Sequence, residues 1–334
     1  MSRPRSFQDD AADPVDRPTG PSQYAPHRRL RVVLGPLFGV ACFLATLTGV
    51  VVLAVLLGSV VAQVLRQSTS DSLPWYDVLG NSRRLFAFLG ELVQKRQSRD
   101  PMIAGFRMGV IGSLWLLGLV AVFAIPVGVG AAVFLEEYAP AGRLRRVIQT
   151  NIANLAGVPS IVYGILGLAL FVRAFGFKSL ALGPTLWAGG LTLALLILPV
   201  IVIATQEALR TVPPSLRQAA LALGATRWQV VRDHVLPAAI PGILTGTILG
   251  LSRAIGETAP LLMVGAAGSI FRSPKGPGDR YTALPVEIYN YAKEPNSDFQ
   301  TVAAGGILLL LILLLTMNAT AILIRNRHAR QRVA

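Results

Sequence analysis

The strongest constraint on this chain is a series of six long apolar runs. Five of them contain no Asp, Glu, Lys or Arg, and they cover residues 32–65, 108–135, 147–172, 179–206 and 299–324. The sixth run, 238–268, contains only Arg253 and Glu257 as charged residues. Each run exceeds the roughly 20 residues that a helix needs to cross a bilayer. Because only 14% of the 334 residues are charged, we predict an all-α integral membrane protein with six transmembrane helices.

The distribution of Lys and Arg predicts how these helices are oriented. With the N-terminus inside, the inner segments carry slightly more Lys and Arg than the outer ones, and the loop 66–107 holds most of the contrary charge. Long loops count less in the positive-inside rule, so we predict a multi-pass protein with both termini in the cytoplasm. The Pro-rich residues 1–31 are predicted to be a disordered cytoplasmic tail, and residues 326–334 are predicted to be a cytoplasmic tail. The net charge of +14 fits this orientation, and no nucleic-acid partner is expected.

The stretch 206–237 is polar to amphipathic and lies between two apolar runs. Pro214 suits a first helical position, and Gly224 suits a helix stop. Thr226 suits the cap of a second short helix, which Leu236-Pro237 is predicted to end. The pattern predicts a cytoplasmic helix–glycine–helix unit that docks onto another protein. An ordinary surface loop is the alternative.

The sixth run is predicted to form a functional site because it carries charge near the middle of the membrane. Arg253 and Glu257 are four residues apart, which places them on one face of a helix. A central charge costs at least about 2.5 kcal/mol, so such residues usually face a cavity, a partner or a substrate. The planar guanidinium matches phosphate or sulfate geometry. The helix is predicted to be weakened by Gly256 and Pro260, and the hydroxyl of Thr258 is consistent with a segment that lines a path. A static ion pair is the alternative.

Ser160 is a second candidate for lining a substrate path. It follows Pro159 inside the apolar run 147–172, and a proline there predicts a kink that exposes neighbouring groups. Close helix packing through small and polar residues is the alternative reading of this segment.

Two loops on the outer side are predicted to contain short helices. One is expected around 83–97 in the loop 66–107, and the other in the segment LPVEIYNYAKEP of the loop 269–300. The second loop contains Tyr281, Tyr289 and Tyr291. We interpret these tyrosines as membrane-interface anchors, with contacts to an external protein as the alternative.

Several chemistries lack the residues that they need. No GxxxxGK[ST] phosphate loop occurs, so the chain itself is not expected to bind ATP. Its three histidines share no ligand spacing, and they are His27, His234 and His328. We therefore expect no metal site, no catalytic residues and no cofactor on this chain. The single Cys42 excludes a disulfide framework.

The docking stretch also carries a recognisable spacing of residues. The residues that define this spacing are Gln218, Ala219, Ala220, Gly224, Leu236 and Pro237. This spacing resembles the cytoplasmic signature of ABC importer permeases, which has the form EAA, three residues, Gly, nine residues, I-x-LP. The chain departs from it at two positions, with Gln218 in place of Glu and His234 in place of Ile.

Three further segments are similar to phosphate-specific ABC permeases of the PstA type. They are FLEEYAP at 134–140, LAGVPSIVYG at 155–164 and SRAIGETAPLL at 252–262. The resemblance extends over about 105–325. It implies a type I ABC importer permease fold in the plasma (inner) membrane. A core at 108–325 would then contain the coupling helices at 207–237, preceded by a first transmembrane helix at 32–65 and a periplasmic or extracellular loop at 66–107.

The same resemblance implies a function and a set of partners. The chain would be the permease of a phosphate importer, paired with a sister permease of the PstC type. A PstB-type ATPase dimer would bind ATP and Mg²⁺, and a PstS-type phosphate-binding protein would deliver substrate from outside. Arg253 and Glu257 would matter for phosphate passage, and the residues of the cytoplasmic signature would contact the ATPase. The alternatives are a permease for sulfate, molybdate or another oxyanion, a stand-alone secondary transporter, and a membrane scaffold or receptor.

Overall fold

The computed structural model describes residues 28–68, 82–177, 179–266 and 273–330, and every regular element within them is helical. The predicted tail 1–31 and the last residues of the tail 326–334 lie mostly outside this part. The chain divides into two units, Met1–Leu57 and Gly58–Ala334. The described part of the first unit is one apolar helix, and the second unit contains the packed core.

Twelve α-helices are present in the described residues. They are α1 (Arg28–Ser68), α2 (Ser82–Gln94), α3 (Arg107–Val133), α4 (Arg143–Ala156), α5 (Ser160–Gly167), α6 (Leu186–Arg210), α7 (Pro214–Ala222), α8 (Arg227–Gln229), α9 (Leu236–Gly256), α10 (Ala259–Val264), α11 (Leu284–Ala292) and α12 (Ser297–Arg330). Wider π-helical turns lie at Phe134–Tyr138, Leu168–Val172 and Val230–Val235, and a 3₁₀ turn lies at Ala174–Gly176.

Five helical segments of the described chain are long and apolar enough to cross a membrane. They are Leu37–Val64, Arg107–Tyr138, Leu186–Arg210, Arg227–Gly256 and Ser297–Asn326. A sixth span exists only if the bent pair Arg143–Ala156 and Ser160–Gly176, which turns through 102°, counts as one. The all-α membrane architecture is therefore confirmed.

The predicted span 147–172 is not one continuous helix, because the chain bends through 102° between α4 and α5. Gly157 ends α4, and Pro159 precedes α5 with an extended backbone (φ −55°, ψ 138°). A proline lacks the N–H that would continue the helical ladder, and its ring clashes with the preceding turn. The proline was predicted to kink the segment, but the break is complete.

The predicted single helix over 238–268 is also wrong. The helix α9 ends at Gly256, and α10 starts at Ala259 with Pro260 in its first turn. Pro260 cannot donate to the Gly256 carbonyl, so a continuous helix would lose that bond and clash with the ring. The weakened region predicted around these residues is a real interruption.

The predicted helix end at Leu236-Pro237 is also wrong, because the helix continues through these residues. Helical structure runs without interruption from Arg227 to Gly256. The π-helical turn Val230–Val235 immediately precedes Pro237, and such a widened turn accommodates the missing N–H and the ring of a proline.

The helices α3, α6 and α9 form the centre of the second unit through close approach at glycines. A Cβ on Gly128 of α3 would overlap Ile201 of α6. A Cβ on Gly246 of α9 would lie even closer to Ala204 of α6. Small residues at such crossings let membrane helices pack backbone to backbone. This core positions both the helix breaks and the docking stretch.

The segment before α12 packs back onto this core. Tyr281 is completely buried and Tyr291 is 3% exposed, while Tyr289 is 40% exposed. The interface-anchor interpretation is therefore wrong for Tyr281 and Tyr291, which are core residues. The helices α2 and α11 occur where short helices were predicted.

Candidate functional site

The end of α9 presents an ion pair at a helix break. The Arg253 Nε donates to the Glu257 Oε1 at 3.1 Å. Glu257 follows the helix with an extended backbone (φ −75°, ψ 118°), so its carboxylate reaches back to Arg253 from outside the helix. The Arg253 side chain is 44% exposed and that of Glu257 17%. Among the described residues, the two terminal nitrogens of Arg253 make no further hydrogen bond, and their N–H groups can donate to a bound anion.

Ser160 lies at the second helix break. It is the first residue of α5 and is partly buried. One turn later, the Tyr163 hydroxyl donates to the Leu155 carbonyl at 2.9 Å. This bond joins α5 to the last turn of α4 and fixes the bend between them.

The structure brings the two breaks to one region of the core. The helix α5 packs on α10 so closely that a Cβ on Gly164 would lie 2.7 Å from the Pro260 Cα. The Arg253 guanidinium is near enough to Tyr163 to interact with it electrostatically. Broken backbone at membrane depth is tolerated only where it is buried in protein or lines a cavity. Arg253, Glu257, Thr258 and the first turn of α5 therefore form the candidate substrate site.

A hydrogen bond between α9 and α12 holds the residue before Arg253. The Ser252 Oγ donates to the Asn318 Oδ1 at 2.6 Å. A bond of this kind between apolar helices fixes their rotation relative to each other. Sequence reasoning missed Asn318, and the signal for it was an amide in the interior of a largely apolar run.

In the docking stretch, the start of α7, its glycine stop and the cap of α8 were predicted correctly, whereas the helix end at Leu236-Pro237 was not. The helix α7 begins at Pro214, and Gly224 follows its end with a positive φ of 86°. Thr226 caps α8 by a reciprocal arrangement: its backbone N–H donates to the Gln229 side chain, and its hydroxyl accepts from the Gln229 backbone.

The predicted docking residues divide between a surface and the core. Gln218, Ala219 and Gly224 are exposed, whereas Ala220 is buried against the ends of α6 and α9. Leu236 and Pro237 are partly buried within the long helix that begins at Arg227. Only the exposed residues are available to a partner, and the others anchor the unit.

Sequence reasoning missed a cluster of ion pairs that joins the FLEEYAP segment to α4, α6 and α7. Glu136 and Glu137 of the FLEEYAP segment bind arginines from three other parts of the chain. The available signal was two adjacent acids at the end of an apolar run, beside loops rich in arginine.

Together, the membrane-length helices, the broken segments beside a half-exposed guanidinium and the exposed capped unit define a multi-pass membrane transport protein. Residues 124–328 match the family described as "Binding-protein-dependent transport system inner membrane component". The chain belongs to this family, and it is thus an inner-membrane protein of such a transport system.

Similar proteins agree with this family. The chain is 40% identical over 172 residues to the "Probable ABC transporter permease protein YqgI" of Bacillus subtilis, covering 52% of this chain and 57% of that protein. It is 36% identical over 238 residues to the "Phosphate transport system permease protein PstA 1" of Mycobacterium tuberculosis, covering 70% and 74%. Among solved structures, the inward-facing MetNI methionine ABC transporter matches with a TM-score of 0.54 and 24% identity, covering 69% and 99%. This structural likeness supports the type I importer permease fold.

Proposed function

We propose that this chain is the membrane-spanning permease of an ABC importer that brings inorganic phosphate into the cell. The observation that carries the proposal is Arg253, a half-exposed guanidinium at a helix break inside an apolar segment. Its planar donors match the oxygens of phosphate. The relative from Mycobacterium tuberculosis is named for phosphate transport, which supports the choice of this anion.

The site residues have separate roles in this proposal. Arg253 attracts the anion, and Glu257 holds the guanidinium between turnovers. An entering phosphate competes with Glu257 for the guanidinium, because both present oxygens to the same donors. Thr258 and Ser160 line the path beside the two helix breaks.

The proposed partners supply energy and substrate. A sister permease completes the path, and an external binding protein delivers phosphate. A separate ATPase dimer binds ATP and Mg²⁺, so this chain transports without catalysing a reaction or holding a cofactor. The exposed residues Gln218, Ala219 and Gly224 contact that ATPase, which requires α7 and both termini to lie in the cytoplasm.

Uptake of labelled phosphate by cells lacking the chain tests the proposal. Cells complemented with the wild type should take up phosphate, and excess sulfate or molybdate should not compete. The variant Arg253→Ala should assemble but lose uptake. The matched control Arg173→Ala, which removes another exposed arginine, should retain it.

Three outcomes would count against the proposal. Competition by sulfate or molybdate would reassign the importer to another oxyanion. Wild-type uptake by Arg253→Ala would remove the anion-binding role. Uptake that proceeds without any co-purifying ATPase would indicate a secondary transporter instead.

A further inference from the structure

The acidic pair of FLEEYAP forms two sets of bonds that lead in different directions. Glu137 pairs with Arg217 of α7: the Arg217 Nη2 donates to Oε1 at 2.8 Å, and the Nε lies 3.2 and 3.3 Å from the two carboxylate oxygens. The Glu137 side chain is only 10% exposed and that of Arg217 22%. A guanidinium held by several bonds in a fixed plane resists displacement more than a single surface contact does.

Arg217 also closes the end of α6. Its Nη2 donates to the Leu209 carbonyl at 2.9 Å, and its Nη1 donates to the Val212 carbonyl at 2.7 Å. The last carbonyls of a helix have no partner within it, and a cation there satisfies them and the helix dipole. One guanidinium therefore joins α7, the end of α6 and the π-helical turn after α3.

Glu136 makes bonds that do not involve α7. It accepts from Arg145 of α4 at 3.0 Å and from Arg210 of α6 at 3.1 Å. These ion pairs brace core helices against one another. Two adjacent carboxylates thus have separable tasks, since only Glu137 reaches the docking unit.

One side of the helix α7 is bound to the core, and a different side is exposed. Arg217 and Ala220, three residues apart, face the core, where Ala220 belongs to the same buried cluster as Leu209 and Val230. Leu216, Gln218 and Ala219 remain exposed. A protein that holds the exposed side can therefore pull on α7 without breaking its attachment to the core.

We infer that the Arg217–Glu137 ion pair is the link through which movement of α7 is passed to α3. With the pair intact, α7 and the end of α3 move as one body. Without it, α7 follows the ATPase while α3 stays behind. Glu137 lies in a π-helical turn, a conformation that recurs at functional sites. The inference rests on the proposed function, because it assumes that an ATPase docks on α7.

Transport per ATP in the reconstituted complex of the four kinds of subunit tests the link. In Glu137→Gln and Arg217→Gln, the ATPase should still co-purify and hydrolyse ATP, but phosphate uptake per ATP should fall about tenfold, within the range of coupling between distant sites. The double variant should be no worse than either single one, because both remove the same link. Arg217→Lys should recover part of the loss, because its ammonium can still pair with Glu137.

Glu136→Gln is the matched control, and it should keep the wild-type ratio because Glu136 does not touch α7. Three results would overturn the inference: a wild-type ratio in Glu137→Gln, an equal loss in Glu136→Gln, or losses that multiply in the double variant.

A distance measurement separates this inference from the choice of substrate. Spin labels can be placed at Ala222 of α7 and Gly130 of α3, both exposed, after Cys42→Ser removes the single native thiol. Their separation should not change when ATP is added to the wild-type complex, and it should change in Glu137→Gln. If the complex hydrolyses ATP but moves no phosphate, the proposed substrate fails while this test still applies. An equal ATP-dependent change with and without Glu137 would refute the link.

Discussion

The two ends of α3 each bury a carboxyl group, and they do so in opposite ways. At the C-terminal end, Glu137 accepts several hydrogen bonds from Arg217. At the N-terminal end, Glu287 of α11 is completely buried against Gly109. Neither oxygen of Glu287 has a hydrogen-bond partner in the described part of the chain. A buried carboxylate without a partner is far too costly to persist, so Glu287 must be a neutral acid.

The two buried carboxyl groups differ in their charge state. Burial raises the pKa of Glu287 from 4.5 to about 8, and the nearby backbone N–H of Gly109 offsets only part of this effect. That N–H faces the carboxyl group without making a hydrogen bond of standard geometry. The neighbouring hydroxyl of Tyr291, whose pKa burial raises to about 12, donates to the Gly105 carbonyl instead. One end of α3 is thus held by opposite charges, and the other by the absence of charge.

The largest expected effect is a pH dependence that comes from Glu287. The folded state keeps a proton that the unfolded chain releases, so stability falls as pH rises from about 4.5 to about 8 and is level above that. Each unit of difference in pKa is worth about 1.4 kcal/mol, which makes the total loss a few kcal/mol. The free energy of unfolding of the purified protein in detergent micelles, measured across this range, checks the slope.

The variant Glu287→Gln keeps the shape of the side chain but cannot ionise. Its stability should be nearly independent of pH over the same window, and Glu287→Met should behave alike. A slope in Glu287→Gln equal to that of the wild type would show that the neutral acid lies elsewhere.

The next effect comes from the charged end of α3. Glu137→Ala leaves the Arg217 guanidinium without its carboxylate, and breaking such a buried pair from one side costs about 3–5 kcal/mol. We expect the low end, about 3 kcal/mol, because the Arg217 side chain keeps 22% exposure. The free energy of unfolding in micelles at constant pH measures this loss.

The exposed pair Lys95–Glu91 supplies the control, since its side chains are 37% and 63% exposed. Glu91→Ala should cost no more than about 0.5 kcal/mol. Equal losses in the two variants would mean that the burial of Glu137 contributes nothing to stability.

The parts of this structure that the sequence predicts are those set by neighbouring residues. Long runs without charge specify helices in a membrane whatever packs around them. Pro214, Gly224 and Thr226 each act on the adjacent turn, so the boundaries of α7 and the cap of α8 follow from residue type alone. The interruptions near Pro159 and Pro260 were visible as weak points. Whether such a point kinks a helix or ends it depends on packing that local sequence does not contain.

The parts that the sequence does not predict depend on distant contacts. Arg217 and Glu137 are 80 residues apart, and nothing near either residue identifies its partner. The tyrosines of the loop 269–300 were assigned to the membrane interface because composition cannot show that a loop folds back onto the core. Glu287 did leave a signal: it shares a helical face with Leu284, three residues before it, and Tyr291, four residues after it. An acid on an apolar face predicts burial, but not whether it is paired.

The smallest effect on stability is expected at the third acid–base pair, Arg253–Glu257. Its residues are four apart, and its arginine is 44% exposed, more than the Arg217 that pairs with Glu137. If this pair faces the proposed water-filled path, it is screened like a surface pair and contributes about 0–1 kcal/mol. Arg253→Ala should therefore unfold with nearly the wild-type free energy in micelles, although the same variant is expected to lose phosphate uptake. A loss as large as that of Glu137→Ala would instead identify a static structural tie, and the loss of uptake would then follow from misfolding rather than from a missing anion site.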